Sequence, residues 1–154
     1  MLLSDQRIAL HAETADQAYE SLGAILDAID ALVYVTDMDT HEIIFINQYG
    51  RSIWGNVVGQ RCWSALQSGQ NGPCDFCTNA QLVDNDGQPS GVVVWEFQNT
   101  VDKRWYQCRD QAIPWINGKL ARIEIATDIT DLKNSVQALK EAKQQAEDLS
   151  RTDE

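Results

Sequence analysis

The sequence predicts an α+β domain in which five strands fall into two groups, with short helices between the groups and a longer helix at each end. Two runs rich in β-branched and aromatic residues, LVYVT and EIIFIN, stand together before residue 48. Three more, GVVVWEFQNT, KRWYQCRDQAIPW and KLARIEIATDIT, stand together after residue 90. The tail DLKNSVQALKEAKQQAED has no glycine, proline or aromatic residue and is full of good helix formers.

Each element has its own reason. Ser4 to Asp30 reads as a helix, because Leu22, Ile25, Leu26 and Ile29 recur on one face while Asp27 and Asp30 take the polar side. The polar segment DMDTH between the first two strands is a tight connection, so they form a hairpin. Asn47 caps a short helix over Gln48–Trp54, which Gly55 ends. Residues 56–90 are broken by Gly59, Gly69, Gly72, Pro73, Gly87 and Pro89, leaving WSALQ and CTNAQLVD as brief helices. A turn around Val101-Asp102 joins the third and fourth strands, and Asn117-Gly118 gives a strong hairpin signal before the fifth. In that last run Ile123 and Ile125 alternate with Arg122 and Glu124, as in a half-buried strand. Ile129, Leu132, Val136 and Leu139 then step by 3, 4 and 3, a coiled-coil seam that weakens where Lys143 and Ala146 take the seam positions. Roughly two to three heptads is marginal for stable pairing alone.

Bulk properties exclude several function classes. The chain has 154 residues, 44% of them hydrophobic, enough for one domain with a real core plus an appended helix. Its formal net charge of −11 disfavours nucleic acid and anionic membranes as partners. No apolar run approaches the ~20 residues that cross a bilayer. The first residues, MLLSDQRIALHAETAD, lack the pattern of a secretory signal, so the cytoplasm is the expected compartment. There the four cysteines are expected to be reduced.

The order of elements, and three stretches in particular, resemble the PAS domain, a sensor module. AIDALVYVTDMDTHEIIFINQYGRSIWG is similar to that family's opening strands and first helix, and WYQCRDQAIPWINGKLARIEIATDIT to its closing hairpin. Asp128-Ile129-Thr130 matches the D-I-T at which PAS cores pass into a signalling helix. The resemblance covers about residues 22–132. It implies a five-stranded antiparallel sheet with helices across one face, an N-terminal helix over 1–21, a PAS domain over 22–130 and a helical linker over 131–154. It also implies a bacterial two-component or cyclic-di-GMP signalling role, non-enzymatic in this chain, with a homodimer formed through the terminal helices. The ending LSRTDE, Leu149 to Glu154, resembles the opening of GGDEF diguanylate cyclase domains, so a downstream GGDEF or kinase domain is the expected output. Asp128, Ile129 and Thr130 become the signal-transmission residues, and either Asp128 or Thr130 can cap the exit helix.

Several side chains are candidates for a site. Cys74 and Cys77 form a CxxC pair with Cys62 twelve residues earlier, so these three are candidate metal ligands. A closed zinc or iron–sulfur site takes four ligands. Gly59 stands where the partner of Cys62 would complete a second CxxC pair, Cys108 is a remote fourth ligand, and His41 lies in a turn at the other end. A redox pair is a second reading, with Pro73 marking a helix start at Cys74, although Asp75 opposes a thiolate there. A flavin-reactive cysteine is a third. Gly59 and Cys62 match the G-x-N-C-R-F-L-Q stretch of light-sensing relatives, but Arg61 replaces the asparagine and Trp63-Ser64 the Arg-Phe pair. Heme is disfavoured, since the only histidines are His11 and His41. The favoured reading is that the cysteines are small, buried and reduced. Tyr34, Trp54, Trp63, Phe76, Trp95 and Trp105 are the candidates for lining a pocket, for an unidentified small molecule and no assigned cofactor. Close packing favours the tryptophans filling that space themselves. Alternation puts Trp95 with Val93 and Phe97 on one face, and Trp105 with Gln107 and Arg109 on one face, without saying which is inward.

Overall fold

The computed structural model describes residues 14–152. Residues 4–13 of the expected first helix, and Asp153 and Glu154 of the ending, lie outside the described residues. Helix α1 (Ala15–Asp27) begins at Thr14, whose hydroxyl accepts from the Gln17 N–H at 3.1 Å. It stops at Asp27, three residues short of the expected end. The Leu26 carbonyl there accepts from the Asn47 side-chain amide at 3.0 Å, and the Asp27 carboxylate accepts from the Gln48 N–H at 2.8 Å. The helix end is thus held by the next helix start instead of by a further turn of its own.

Strands β1 (Leu32–Asp37), β2 (Ile43–Ile46), β3 (Val93–Gln98), β4 (Trp105–Pro114) and β5 (Leu120–Asp128) form one sheet, antiparallel throughout, in the order β2-β1-β5-β4-β3. Asp37 receives the Asp39 and Thr40 N–H groups and closes the first hairpin. Asn117 and Gly118 both take positive φ, 60° and 70°, in the turn between β4 and β5. Asn99 and Arg104 close the β3–β4 turn, where the Asn99 side chain accepts from Val101 and Asp102. The core lies on one face of the sheet and includes Leu32, Tyr34, Ile43, Ile46, Val57, Cys62, Leu66, Tyr106, Cys108 and Ala126.

Helix α2 (Gln48–Trp54) and its Gly55 stop fall where the sequence puts them. Asn47 does more than cap it. Its oxygen accepts from the Gly50 and Val33 N–H groups and its amide donates to the Leu26 and Ala31 carbonyls, so one fully buried side chain joins α1, β1 and α2. The region 56–90 is less helical than expected. Only α3 (Cys62–Ala65) and a three-residue 3-10 turn, Asn79–Gln81, are regular. Cys74–Cys77 is a turn closed by the Cys77 N–H on the Cys74 carbonyl at 3.0 Å, not a helix start. Thr78 and Asn79 are held to the sheet by their side chains, the Thr78 hydroxyl on Asp110 and the Asn79 oxygen on Arg122.

The structure settles the phase of the strands, which the alternation left open. In β5 the buried positions are Arg122 and Glu124, while Ile123 and Ile125 are half-buried on the opposite face. In β4 likewise Tyr106, Cys108, Asp110 and Ala112 face the core, so Trp105, Gln107 and Arg109 face away. Helix α4 (Thr130–Thr152) leaves directly from the end of β5. Among the described residues no helix is long and apolar enough to cross a membrane.

Candidate functional site

Antiparallel register builds the site's floor. Tyr34, Glu124 and Asp110 are direct cross-strand partners on β1, β5 and β4, and Thr36, Arg122 and Ala112 form the next row. Alternation sends these side chains to the core face. The chain from Val57 to Cys62 runs along β2. The Ile43 N–H donates to the Gln60 carbonyl, the Gly59 N–H to the Ile43 carbonyl and the Cys62 N–H to the His41 carbonyl. This brings Cys62 and Trp63 over the row, and the Cys74–Cys77 turn closes above it.

Between floor and roof lies a cavity lined by Tyr34, His41, Cys62, Trp63, Cys74, Phe76, Cys77, Trp95, Arg122 and Glu124, among others. The centre of a water molecule sweeps about 40 Å³ of it. That is room for roughly three waters. The aromatic residues take much of the remaining space: Trp95 stacks on Phe97 with centroids 4.8 Å apart, and Phe76 sits 5.8 Å from Trp95.

Of the six aromatic candidates, Tyr34, Trp63, Phe76 and Trp95 line this cavity. Trp54 lines a smaller neighbouring one with Tyr106. Trp105 lines neither. It points to the other face of the sheet, where the Lys133 ammonium of α4 lies 4.7 Å from its ring centroid. The three candidate cysteines do converge on the cavity. Among the described residues no group of three or more His, Cys, Asp or Glu side chains is placed to hold a metal ion. Cys108 is fully buried in the core beneath, at the β4 position paired with Ala126, and His41 is at the cavity edge.

The polar groups that matter most are ones the sequence pattern did not single out. Arg122 donates to the Tyr34 hydroxyl at 3.0 Å and the Asn79 side-chain oxygen at 3.2 Å, and lies 3.8 Å from the Cys62 and Cys77 sulfurs. Asp110 accepts from the Thr78 hydroxyl at 2.6 Å and the Trp95 indole at 2.7 Å. Burial, and next the neighbouring Asp110, push the Glu124 carboxyl well above the usual carboxylate range. That shift favours the protonated, neutral form of Glu124, which lies directly across the sheet from both Tyr34 and Asp110. The second Asp110 oxygen is buried without a hydrogen-bond partner among the described residues. Burial raises the Tyr34 and Cys62 groups and pushes Cys74 up to about 11, so all three hold their protons at neutral pH. A Cys74 thiol of this kind is a poor nucleophile. Burial, then Arg122 and Arg61, lower His41, which is neutral.

The far end of β5 is equally built. The Asp128 carboxylate accepts from the Thr130 N–H at 2.9 Å and pairs with Arg104. Burial works to raise Asp128, but the hydrogen bonds from Arg104 and Thr130 outweigh it and hold the group below its usual range. Asp128 is thus the cap. Thr130 instead accepts the Trp105 N–H at 2.9 Å, while the Ile129 N–H donates to the Trp105 carbonyl at 2.8 Å. Lys133 pairs with Glu96 of β3 at 2.6 Å. The first turn of α4 is tied to three strands.

No family model matches the chain, and no curated protein does. Solved structures do. The chain is similar to the PAS domain of nitrogen regulation protein NR(II) from Vibrio parahaemolyticus, at 17% identity and a TM-score of 0.53, over 70% of this chain and 97% of that one. It is similar to a PAS domain of a protein from Colwellia psychrerythraea at 20% identity and a TM-score of 0.53, over 74% and 98% of the two chains. An RNA-binding light-oxygen-voltage receptor matches at 16% identity and a TM-score of 0.60, over 84% of this chain and 38% of that one. The chain therefore has the PAS fold.

Proposed function

We propose that this chain is a cytoplasmic sensory and dimerisation module, not itself an enzyme, which detects a small molecule in the Arg122–Glu124 cavity and reports through α4. One observation carries the reading. Strand β5 supplies Arg122 and Glu124 to the cavity floor and, on the same strand, ends in Asp128, the cap of α4. A ligand that moves this strand by a fraction of an ångström acts on Asp128 and Thr130 without an intermediary. The output is a GGDEF diguanylate cyclase or a kinase domain, supported by the resemblance of LSRTDE and by the exposed Leu132, Val136 and Leu139 stripe, which pairs α4 with a second copy.

The test is a thermal-shift screen of small metabolites followed by hydrogen exchange on the full chain. A compound that stabilises the protein is expected to change exchange in residues 128–139 as well as around the cavity. Cavity ligands that leave residues 128–139 untouched would reduce the chain to a binding domain without a signalling path.

A further inference from the structure

We propose that the ligand is a small monocarboxylate, its carboxylate received by the Arg122 guanidinium and its short apolar tail by Trp63, Trp95 and Phe76 at the mouth. The inference rests on the sensory reading above and names the chemistry of its site.

Arg122 is a buried charge that no ion pair among the described residues answers in direct contact. Arg122 is 5% exposed, and a guanidinium stays charged at any physiological pH. Burying such a charge is costly unless an anion answers it. Among the described residues Arg122 forms no ion pair; its partners are a phenol, an amide oxygen and two sulfurs, and its Nε has no partner at all. The nearest carboxyl on its own strand, Glu124, acts on Arg122 through space but makes no ion pair with it, and its own burial favours the neutral form. Asp110 is committed in turn to Thr78 and Trp95. Among the described residues no carboxylate is thus in direct contact with the guanidinium, which stands on a cavity wall.

Shape narrows the class. Guanidinium and carboxylate match in plane and donor spacing. A space for roughly three waters admits a carboxylate of about two to four carbons. A longer tail passes out beside Phe76, which is 38% exposed. One guanidinium within an acidic chain is a poor host for a doubly charged phosphate. A cation is opposed by Arg122 itself.

The probes are acetate, butyrate and phenylacetate, with butyramide and inorganic phosphate as controls, titrated into the full chain and followed by the five tryptophan indole N–H signals in NMR. Butyrate is expected to shift Trp63 and Trp95 saturably and to leave Trp105 and Trp115 unmoved. Butyramide is expected to bind at least tenfold more weakly, and Arg122→Gln to weaken butyrate at least tenfold while keeping the sheet amide spectrum. Equal binding of butyramide, preference for phosphate, shifts at Trp105, or no saturation by about 10 mM carboxylate overturns the proposal. If Arg122→Gln does not fold, the butyrate–butyramide comparison in the native chain decides. An uncharged metabolite that fills the cavity and alters α4 exchange would leave the sensory reading standing and remove this one. A carboxylate that binds without touching α4 would do the reverse.

Discussion

Glu124 is the residue whose environment has the most measurable consequence. Its carboxyl is fully buried between Tyr34 on β1, Asp110 and Cys108 on β4 and Arg122 on its own strand, and its proton is retained well above the ordinary value of 4.5. The folded state thus holds a proton that the unfolded chain releases once pH passes about 4.5. Its contribution is complete below that point and is lost as pH rises toward the folded value. Between about pH 5 and 8 the native protein should lose stability relative to Glu124→Gln, by at most about 1.4 kcal/mol per pH unit. Urea unfolding of both proteins across that range measures it, and parallel pH profiles would show that Glu124 is ionised after all. His41 titrates in both proteins and cancels from the comparison. None of this was legible beforehand. Alternation in RIEIA gives a period of two but not a phase, and a rule that sends charge outward chooses the wrong phase when charges are held by tertiary partners. The same ambiguity placed Trp105 among the pocket residues. Asn47, by contrast, was legible as a cap because capping is local; its three-element role was not, because the Leu26 and Ala31 carbonyls reach it only in the fold.

At the scale of elements, the strands and α2 were readable because each carries a continuous local pattern and a marked end. Residues 56–90 were not, because they are held by contacts to other elements: Asn79 to Arg122, Thr78 to Asp110, and Ser68 to Thr100 at 2.8 Å. The cysteines converge for that reason and not because of their spacing. The β5–α4 junction lies between these cases. Its D-I-T was readable, but the division of labour, with Asp128 capping and Thr130 anchoring, depends on β4. Replacing Thr130 by valine keeps the side-chain shape and removes the hydroxyl that accepts the Trp105 N–H. We expect a loss of about 1–2 kcal/mol. Hydrogen exchange should speed up at Trp105 and in the first turn of α4, with β1 and β2 unchanged. Unaltered exchange at Trp105 would mean that Ile129 and Lys133 suffice as the anchor.

At the scale of the molecule, charge decides how two copies can meet. The chain carries −11, so most of one surface repels most of another. Helix α4 is the exception. Asp131, Glu141, Glu147 and Asp148 balance Lys133, Lys140, Lys143 and Arg151, and four against four leaves the helix neutral. Its stripe is exposed as well, with Leu132 at 61%, Val136 at 43% and Leu139 at 72%. A neutral helix with an open apolar seam on an acidic body is where self-association meets least resistance. The seam is short, so the dimer is expected to be weak, and repulsion between the two acidic bodies should make it weaker at low salt. Sedimentation should therefore show a larger dimer fraction at about 0.5 M than at about 0.02 M salt, where the screening length changes from a few to about twenty ångströms. Leu132→Lys with Leu139→Lys should give a monomer at both. A dimer that survives that pair, or one that falls apart as salt is raised, would place the interface on ion pairs elsewhere and take α4 out of the contact.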